Sequence, residues 1–239
     1  MRAVSIAFAF SVLFWPSSAR SICNIPQPRL VCAEFFRNQL VVEATLINTR
    51  EVRSKADPEG IEAFVYTLRV DRALRGEAVQ KILVYEGNDS GRATFDWTRG
   101  QRYLLFLSPR SNTRSWELDG CGNSGPLSAA KAALAEIAAI ERAAGGGMVH
   151  VVVSKQGSQR IEGVQIEALG STGRYEGKTN AAGEVQIRVP AGEYLVRAEK
   201  EDLSFAKALF SYEDPKQVRI EAGGCAQIAF EAFDHPASR

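Results

Sequence analysis

The chain has 239 residues, with 29 Lys and Arg against 28 Asp and Glu, a formal net charge of +1 and 45% apolar residues. That is the composition of an ordinary globular protein of one or two domains. Residues 20–144 hold 17 cations against 15 anions and residues 145–239 hold 11 against 13, so neither half carries the basic excess of an electrostatic nucleic-acid footprint, and no nucleic-acid partner is expected.

Residues 1–21 read as a secretory signal peptide. Arg2 supplies the positive start, "AVSIAFAFSVLFW" (residues 3–15) the apolar middle, and "SSA" (residues 17–19), after Pro16, the small residues a signal peptidase needs. Cleavage is expected after Ala19, with Ser21 as second choice. As a helix the apolar run spans roughly 20 Å, short of the about 30 Å of a bilayer core, so no membrane anchor is expected in the mature chain. Ile22 stands directly before Cys23, where a lipid-modified cysteine would follow a small residue, so lipidation is not expected either. The protein is expected to be secreted or periplasmic. Export makes disulfides the default for Cys23, Cys32, Cys121 and Cys225. Their wide separations, with only His150 and His235 as imidazoles, do not match the paired close spacing of a zinc site. Four cysteines allow three connectivities, and the sequence does not choose among them.

"CNIPQPRLVCAEFF" (residues 23–36) begins extended because of its two prolines. "LVVEATLI" (residues 40–47) is rich in β-branched residues and reads as a strand. "SKADPEG" (residues 54–60) is a loop, and "EAFVYTLRVDRAL" (residues 62–74) alternates, with Phe64, Tyr66, Leu68 and Val70 on one face. "QKILVYE" (residues 80–86) and "GQRYLLFLSP" (residues 100–109) are further strands. Between them a polar loop leads into a short strand ending at Trp97, and "SWEL" (residues 115–118) closes the sheet. Alanine-rich residues 127–144 then predict a helix capped by Ser128, with Leu134, Ile137 and Ala138 as its apolar stripe. Gly145, Gly146 and Gly147 stop it and read as a flexible linker.

After the linker, strand-like runs recur every 8–12 residues, which predicts an antiparallel β-sandwich without crossover helices. "MVHVVVSKQ" (residues 148–156) is expected to pair with "GVQIEALG" (residues 163–170). A tight turn at residues 180–183 uses Gly183. Val185, Ile187 and Val189 then point inward, and Pro190 to Gly192 turn the chain again before Tyr194 or Leu195 re-enters the core.

Two resemblances are carried by particular residues. "GVQIEALG", "TNAAGEV" (residues 179–185) and "PAGEYLV" (residues 190–196) resemble the motifs of transthyretin-like, carboxypeptidase-regulatory-like β-sandwich modules. The likeness covers most of residues 148–232 and implies a passive spacer or adhesive module. The hydroxyisourate hydrolases of that family use histidines, arginines and a terminal Tyr-Arg-Gly-Ser. This chain ends "DHPASR", so that activity is not expected.

The first part, through "CNIPQP", "FFRNQLVVEATLI", "YTLRVDRALRG", "GQRYLLFLS" and "LDGCGNSGPLSAAKAAL", resembles the netrin-like OB-type module of tissue inhibitors of metalloproteinases. This resemblance implies a five-stranded OB-type barrel with a C-terminal helix. It also implies a Cys23–Cys121 disulfide, since the cysteine before "GNSGPLS" matches the one that bridges to the N-terminal segment. Cys32 and Cys225 are then left to pair and tie the two modules together or to stay free. The inhibitors begin with Cys-x-Cys and chelate the protease zinc through the free α-amine, whereas this chain reads Cys23-Asn24-Ile25. The pair of modules together resembles exported bacterial proteins.

The expected organisation is therefore mostly β: signal peptide 1–21, netrin-like OB-type domain 22–144, linker 145–147, Ig/transthyretin-like antiparallel sandwich 148–233 and flexible tail 234–239. No catalytic, cofactor-binding or metal-binding residue is assigned, and no cofactor is expected. His150 reads as a partly exposed strand residue and His235 as part of the tail. Asp96 and Glu117 are carboxylates without a partner in the pattern. Residues 86–91 lack the ligand spacing of a calcium loop, and Trp97, Tyr103, Phe106 and Trp116 read as packing rather than as a base-stacking surface. The expected role is non-catalytic binding of a protein partner, with Cys23, Asn24, Ile25 and Pro26 as contact residues. The alternative is inhibition of a secreted zinc metalloprotease.

Overall fold

The computed structural model describes residues 28–56, 60–77, 79–89, 91–143, 145–156 and 158–234. The predicted signal peptide, the contact residues Cys23 to Pro26 and His235 lie outside them. The chain is mostly β, with multiple sheets and two helices among the described residues. No helix among them is long and apolar enough to cross a membrane.

The N-terminal half opens with helix α1 (Val31–Arg37) and continues through β1 (Leu40–Arg53), β2 (Ile61–Arg75), β3 (Lys81–Gly87), β4 (Arg102–Pro109), β5 (Trp116–Glu117), β6 (Gly125–Pro126) and α2 (Lys131–Arg142). Its pairings run β1-β2-β3-β5-β4 and return to β1 through a β1–β4 ladder, with β6 added on β4. Trp116 closes this ring, pairing parallel with Val84 of β3 and antiparallel with Pro109 of β4.

The apolar start of "LVVEATLI", Leu40 to Val42, has a physical reason, and polar Glu43 and Thr45 interrupt the run beyond it. Leu40, Val42, Ala44 and Leu46 face an interior shared with Tyr66, Leu68, Ile82, Tyr103 and Leu105. On the opposite face, Val41 packs with Leu104 and Phe106 against α1 and α2. The first residues of the strand, covered on both sides, therefore show no alternation, which resumes at Glu43 and Thr45. The segment at residues 92–97 forms no strand. Phe95 and Trp97 instead lay their rings on the core, with Trp97 stacked 4.3 Å from Tyr66 and tilted 4.8 Å from Tyr103, which is how packing rather than base stacking uses these rings.

Helix α2 starts later than predicted. Its N-cap is Ala130 without a side-chain bond, so Ser128 is not the cap. Its buried residues are Ile137 and Ile140, with Leu134 and Ala133 beside them. The sequence does not announce helix α1, because the two prolines ahead of it signal extended chain. It forms once the chain is past Pro28, and its apolar face buries Val31, Ala33 and Phe35.

The C-terminal half contains β7 (Gly147–Lys155), β8 (Gln159–Arg160), β9 (Gln165–Gly170), β10 (Gly173–Lys178), β11 (Glu184–Val189), β12 (Gly192–Glu199), β13 (Leu203–Lys207), β14 (Val218–Ile220) and β15 (Cys225–Asp234). One sheet runs β10-β9-β12-β14 and the other β11-β7-β15-β13, with β8 on β7. A single buried cluster joins their facing residues, among them Val151, Ile187 and Ile228 from one sheet and Ile166, Val196 and Ile220 from the other. Two expectations are corrected here. The run from residue 148 pairs with β11 and β15, not with the run from residue 163, which pairs with β10 and β12. The β7–β15 ladder is parallel. A parallel partner needs a long connection, and the whole length of the C-terminal half supplies it.

The turn at residues 180–183 is as expected, with Gly183 at φ 70° and the Asn180 side chain accepting from the amides of Ala182 and Glu184. Ile187, Val189, Tyr194 and Val196 are buried. The glycines after α2 are not a loose tether. A Cβ on Gly147 would collide with the Gly224 carbonyl and come within 2.6 Å of Ile220. The Gly146 carbonyl accepts from the Gly223 amide at 3.0 Å. Glycine is needed there for close backbone approach.

Thr179 is 3% exposed, and its hydroxyl accepts from the Val164 amide at 2.9 Å and donates to the Ile161 carbonyl at 2.8 Å. Thr179→Val keeps the shape and removes both bonds. It is expected to destabilise by about 1–3 kcal/mol, because a buried amide and carbonyl lose their partner. Chemical denaturation of the variant measures this directly.

Candidate functional site

The two halves meet along one junction, built from the segment just ahead of α1. The Gln227 side-chain amide of β15 donates to the Pro28 carbonyl at 2.8 Å, and its oxygen accepts from the Leu30 amide at 3.0 Å. A disulfide joins Cys32 of α1 to Cys225 of β15 across 193 residues of chain. Tyr212, on the loop after β13, lies with its ring 4.1 Å from the guanidinium of Arg29 and 4.2 Å from that of Arg37. The Arg37 guanidinium also donates to the Tyr212 carbonyl. Cation–ring contacts of this kind gain strength as they are desolvated, and Tyr212 is only 9% exposed. Burial first, and the nearby Glu34 second, push its phenol above the usual tyrosine range against the opposing arginines.

Beside this clasp opens a polar cleft of about 620 Å³. One wall is Arg29, Arg37 and Tyr212. The other comes from the ends of β3, β4 and β5, and includes Tyr85, Arg110, Glu117 and Asp119. Arg110 stacks 3.8 Å over the Tyr85 ring. Arg29 pairs with Asp119 at 3.2 Å, and Asp119 also accepts from the Cys121 amide at 2.9 Å. The loop carrying Cys121 thus forms the rim, and its Asn123 side chain donates to the Arg29 carbonyl at 3.0 Å.

Behind the rim lies Glu34, fully buried. One of its carboxylate oxygens accepts from the Asn123 amide and side chain, each at 2.7 Å, while the other has no hydrogen-bond partner among the described residues. Burial raises its pKa to about 7, against the lowering effect of the Asn123 bonds.

Cys121 is itself disulfide-bonded, and the expected pairing to Cys23 falls on a residue outside those described. The contact residues Cys23, Asn24, Ile25 and Pro26 fall there too, immediately ahead of the anchored Pro28. Glu117 lines the cleft and Asp96 is exposed. His150 is corrected: it is 5% exposed, its Nε2 lies 3.9 Å from Glu184, and burial lowers its pKa despite that carboxylate. Glu86, the first residue of the loop considered for calcium, accepts from the Tyr66 hydroxyl at 2.8 Å and the Ala93 amide at 2.7 Å. Among the described residues no group of three His, Cys, Asp or Glu is placed to hold a metal ion.

Arg29, Arg37, Arg110, Tyr212 and Glu34 were not singled out from the sequence. They come together from positions up to 183 residues apart, and no local pattern marks them. Comparison of the chain with protein-family models and with curated proteins finds no match.

Proposed function

We propose that the protein is an exported, non-catalytic binding or structural protein, built from an OB-type barrel and a transthyretin-like β-sandwich, that contacts a protein partner at the cell surface or in the periplasm. The ring of pairings β1-β2-β3-β5-β4 with a following helix supports the first half of this reading. The two sheets around one core support the second.

The observation that carries it is the junction. Residues 28–37 are held to both halves by the Gln227 bonds, the Cys32–Cys225 disulfide and the Tyr212 clasp. A surface fixed this way binds without first ordering itself, which conserves affinity. Arginine and tyrosine, which line the cleft, are the residue types enriched at protein contacts.

A photo-crosslinking side chain placed at Arg110 tests the reading in the exporting cell, with the same group at exposed Arg174 of β10 as control. A discrete protein adduct is expected at position 110 and not at 174. Equal labelling at both sites, or none at 110, would remove the cleft as a contact surface.

The second reading, inhibition of a secreted zinc metalloprotease, is favoured by one observation: the carbonyl of Arg29, six residues after Cys23, accepts from Asn123 in the loop that holds the disulfide-bonded Cys121. It requires a free α-amine on Cys23. Mass measurement of the mature N-terminus decides it, because a chain beginning at Arg20 or Ile22 excludes that chelate.

A further inference from the structure

On the far side of the C-terminal half the two sheets part along a seam. Strands β12 and β13 leave one tight corner, where Lys200 and Leu203 form a bridge and Asp202 adopts φ 62°. They then join different sheets. β12 pairs with β9 over residues 194–199 but with β14 only over residues 192–194. Beyond Tyr194 its outer edge meets no strand among the described residues, and the Val196 amide is taken by the Pro215 carbonyl at 2.7 Å. Amides alternate sides along a strand, so the Ala198 amide faces the same open side. Among the described residues β13 ends its sheet and pairs only with β15. The Ala208 amide donates toward β15, to Ala229 at 2.9 Å, so by the same alternation the amides of Phe205 and Lys207 point away from the sheet. Two strand edges thus face a common groove of about 810 Å³.

The groove has a definite chemistry. Its floor is apolar, including Val196, Phe205 and Phe230. Its rim carries three cations, Arg197, Lys207 and Lys216, against the single carboxylate of Asp214. Asp214 is already engaged, 3.9 Å from Lys207 and accepting from the Lys216 amide at 2.9 Å. Arg197 and Lys216 are exposed, and neither side chain has a carboxylate partner among the described residues.

We infer that this seam takes a short, extended, acidic segment of a partner protein, added as a strand along β13. Outward amides and carbonyls ask for a peptide backbone rather than another polyanion, and the adjoining pockets would receive alternate side chains. The unpaired cations select carboxylates on the other face. Five residues of β13 give a template about 17 Å long at 3.3–3.4 Å per residue. The edge lysine, Lys207, also discourages self-pairing, which fits a partner of opposite charge better than a second copy. This surface is distinct from the cleft at the junction, so the two readings stand or fall separately.

The test is a nuclear magnetic resonance titration of the full mature chain with blocked hexapeptides. One alternates valine and glutamate, one alternates valine and lysine, and one repeats the first with its central valines replaced by proline. The glutamate peptide is expected to shift the amides of residues 195–198 and 203–207 saturably, with a dissociation constant of about 1 mM or tighter. The lysine and proline peptides should bind at least about tenfold more weakly, through charge in one case and missing amide donors in the other. The doubly charge-reversed variant Arg197→Glu, Lys216→Glu should lose about tenfold for the glutamate peptide, and added salt should weaken wild-type binding in the same direction. Absence of saturable binding, equal binding of the glutamate and lysine peptides, or shifts that map elsewhere would each overturn the inference.

Discussion

Replacing Cys32 and Cys225 together by alanine is expected to lower stability by about 3–5 kcal/mol and to depress the melting temperature by roughly 10 °C. The disulfide closes 193 residues of chain, and in the chain-entropy description a loop of that size restrains the unfolded ensemble by up to about 5 kcal/mol. The lower figure allows for the second disulfide at Cys121, which already restricts the same unfolded chain. The loss arises in the unfolded chain, so the Gln227 bonds and the Tyr212 contacts of the folded junction do not offset it. Arg75 and Glu221 lie 3.7 Å apart and half-exposed, a pairing of the kind that contributes little. The apolar cluster around the disulfide is small, with Ala33, Tyr212 and Cys225 as its buried members. Equilibrium denaturation of the double variant, followed in parallel by hydrogen exchange at the Leu30 amide, measures the effect. A loss below about 1 kcal/mol would mean that the halves hold together without the covalent tie. The same experiment on the wild type with a reductant adds the contribution of Cys121, so the two disulfides can be separated by difference.

What the sequence made legible was what is local. Alternation and turn residues located most strands, since an inward face at period two needs only neighbouring residues: Ile187, Val189, Tyr194 and Val196 are buried as their pattern implies. Pairing partners were less accessible. The pattern pairs the run from residue 148 with the run from residue 163, yet β7 lies between β11 and β15, with the two-residue β8 added on it, because the choice depends on which sheet buries which face and not on proximity. The same limit applied to the glycines after α2. Three in a row look like a hinge until the opposite backbone is known, and here Val189 and Gly224 press against them. The polar junction left no trace in the pattern. Gln227 is one polar residue in an apolar strand, and its partners Pro28 and Leu30 lie about 200 positions earlier in the chain. Helix α1 was missed for the opposite reason: the local signal of its prolines was real but ended at Pro28.

Glu34→Gln should remove part of the protein's pH dependence and favour the variant more at pH 8 than at pH 4. The carboxyl sits on α1 with no exposed surface, and burial lifts its pKa from 4.5 to about 7. The groups that face it are mixed in sign. The amide and side chain of Asn123 favour the ionised form, Asp119 opposes it and Arg29 favours it, while the Tyr212 phenol stays protonated. A carboxyl whose folded pKa lies above its unfolded value holds its proton more firmly in the folded state. Its contribution to stability is complete below pH 4.5 and is lost as the pH rises to about 7. At pH 8 the folded state carries a penalty of roughly 3 kcal/mol from this one group. Glutamine cannot ionise, and its carbonyl can still accept both bonds from Asn123. Its amide would occupy the position of the unpartnered oxygen, adding a cost of about 1–3 kcal/mol that does not vary with pH. The difference in stability between variant and wild type should therefore be flat below pH 4.5 and swing by about 3 kcal/mol in favour of the variant by pH 8. Glu213, also raised by burial, gives the same slope in both proteins and drops out of the difference. So do His150, lowered by burial, and Asp71, lowered because bonds from Thr45 and Arg69 outweigh its burial. Urea denaturation of both proteins at half-unit intervals from pH 4 to pH 8 reads the curve. A constant difference across that range would show that Glu34 ionises as freely in the folded protein as in the unfolded chain, and that the rim behind the cleft is open to water.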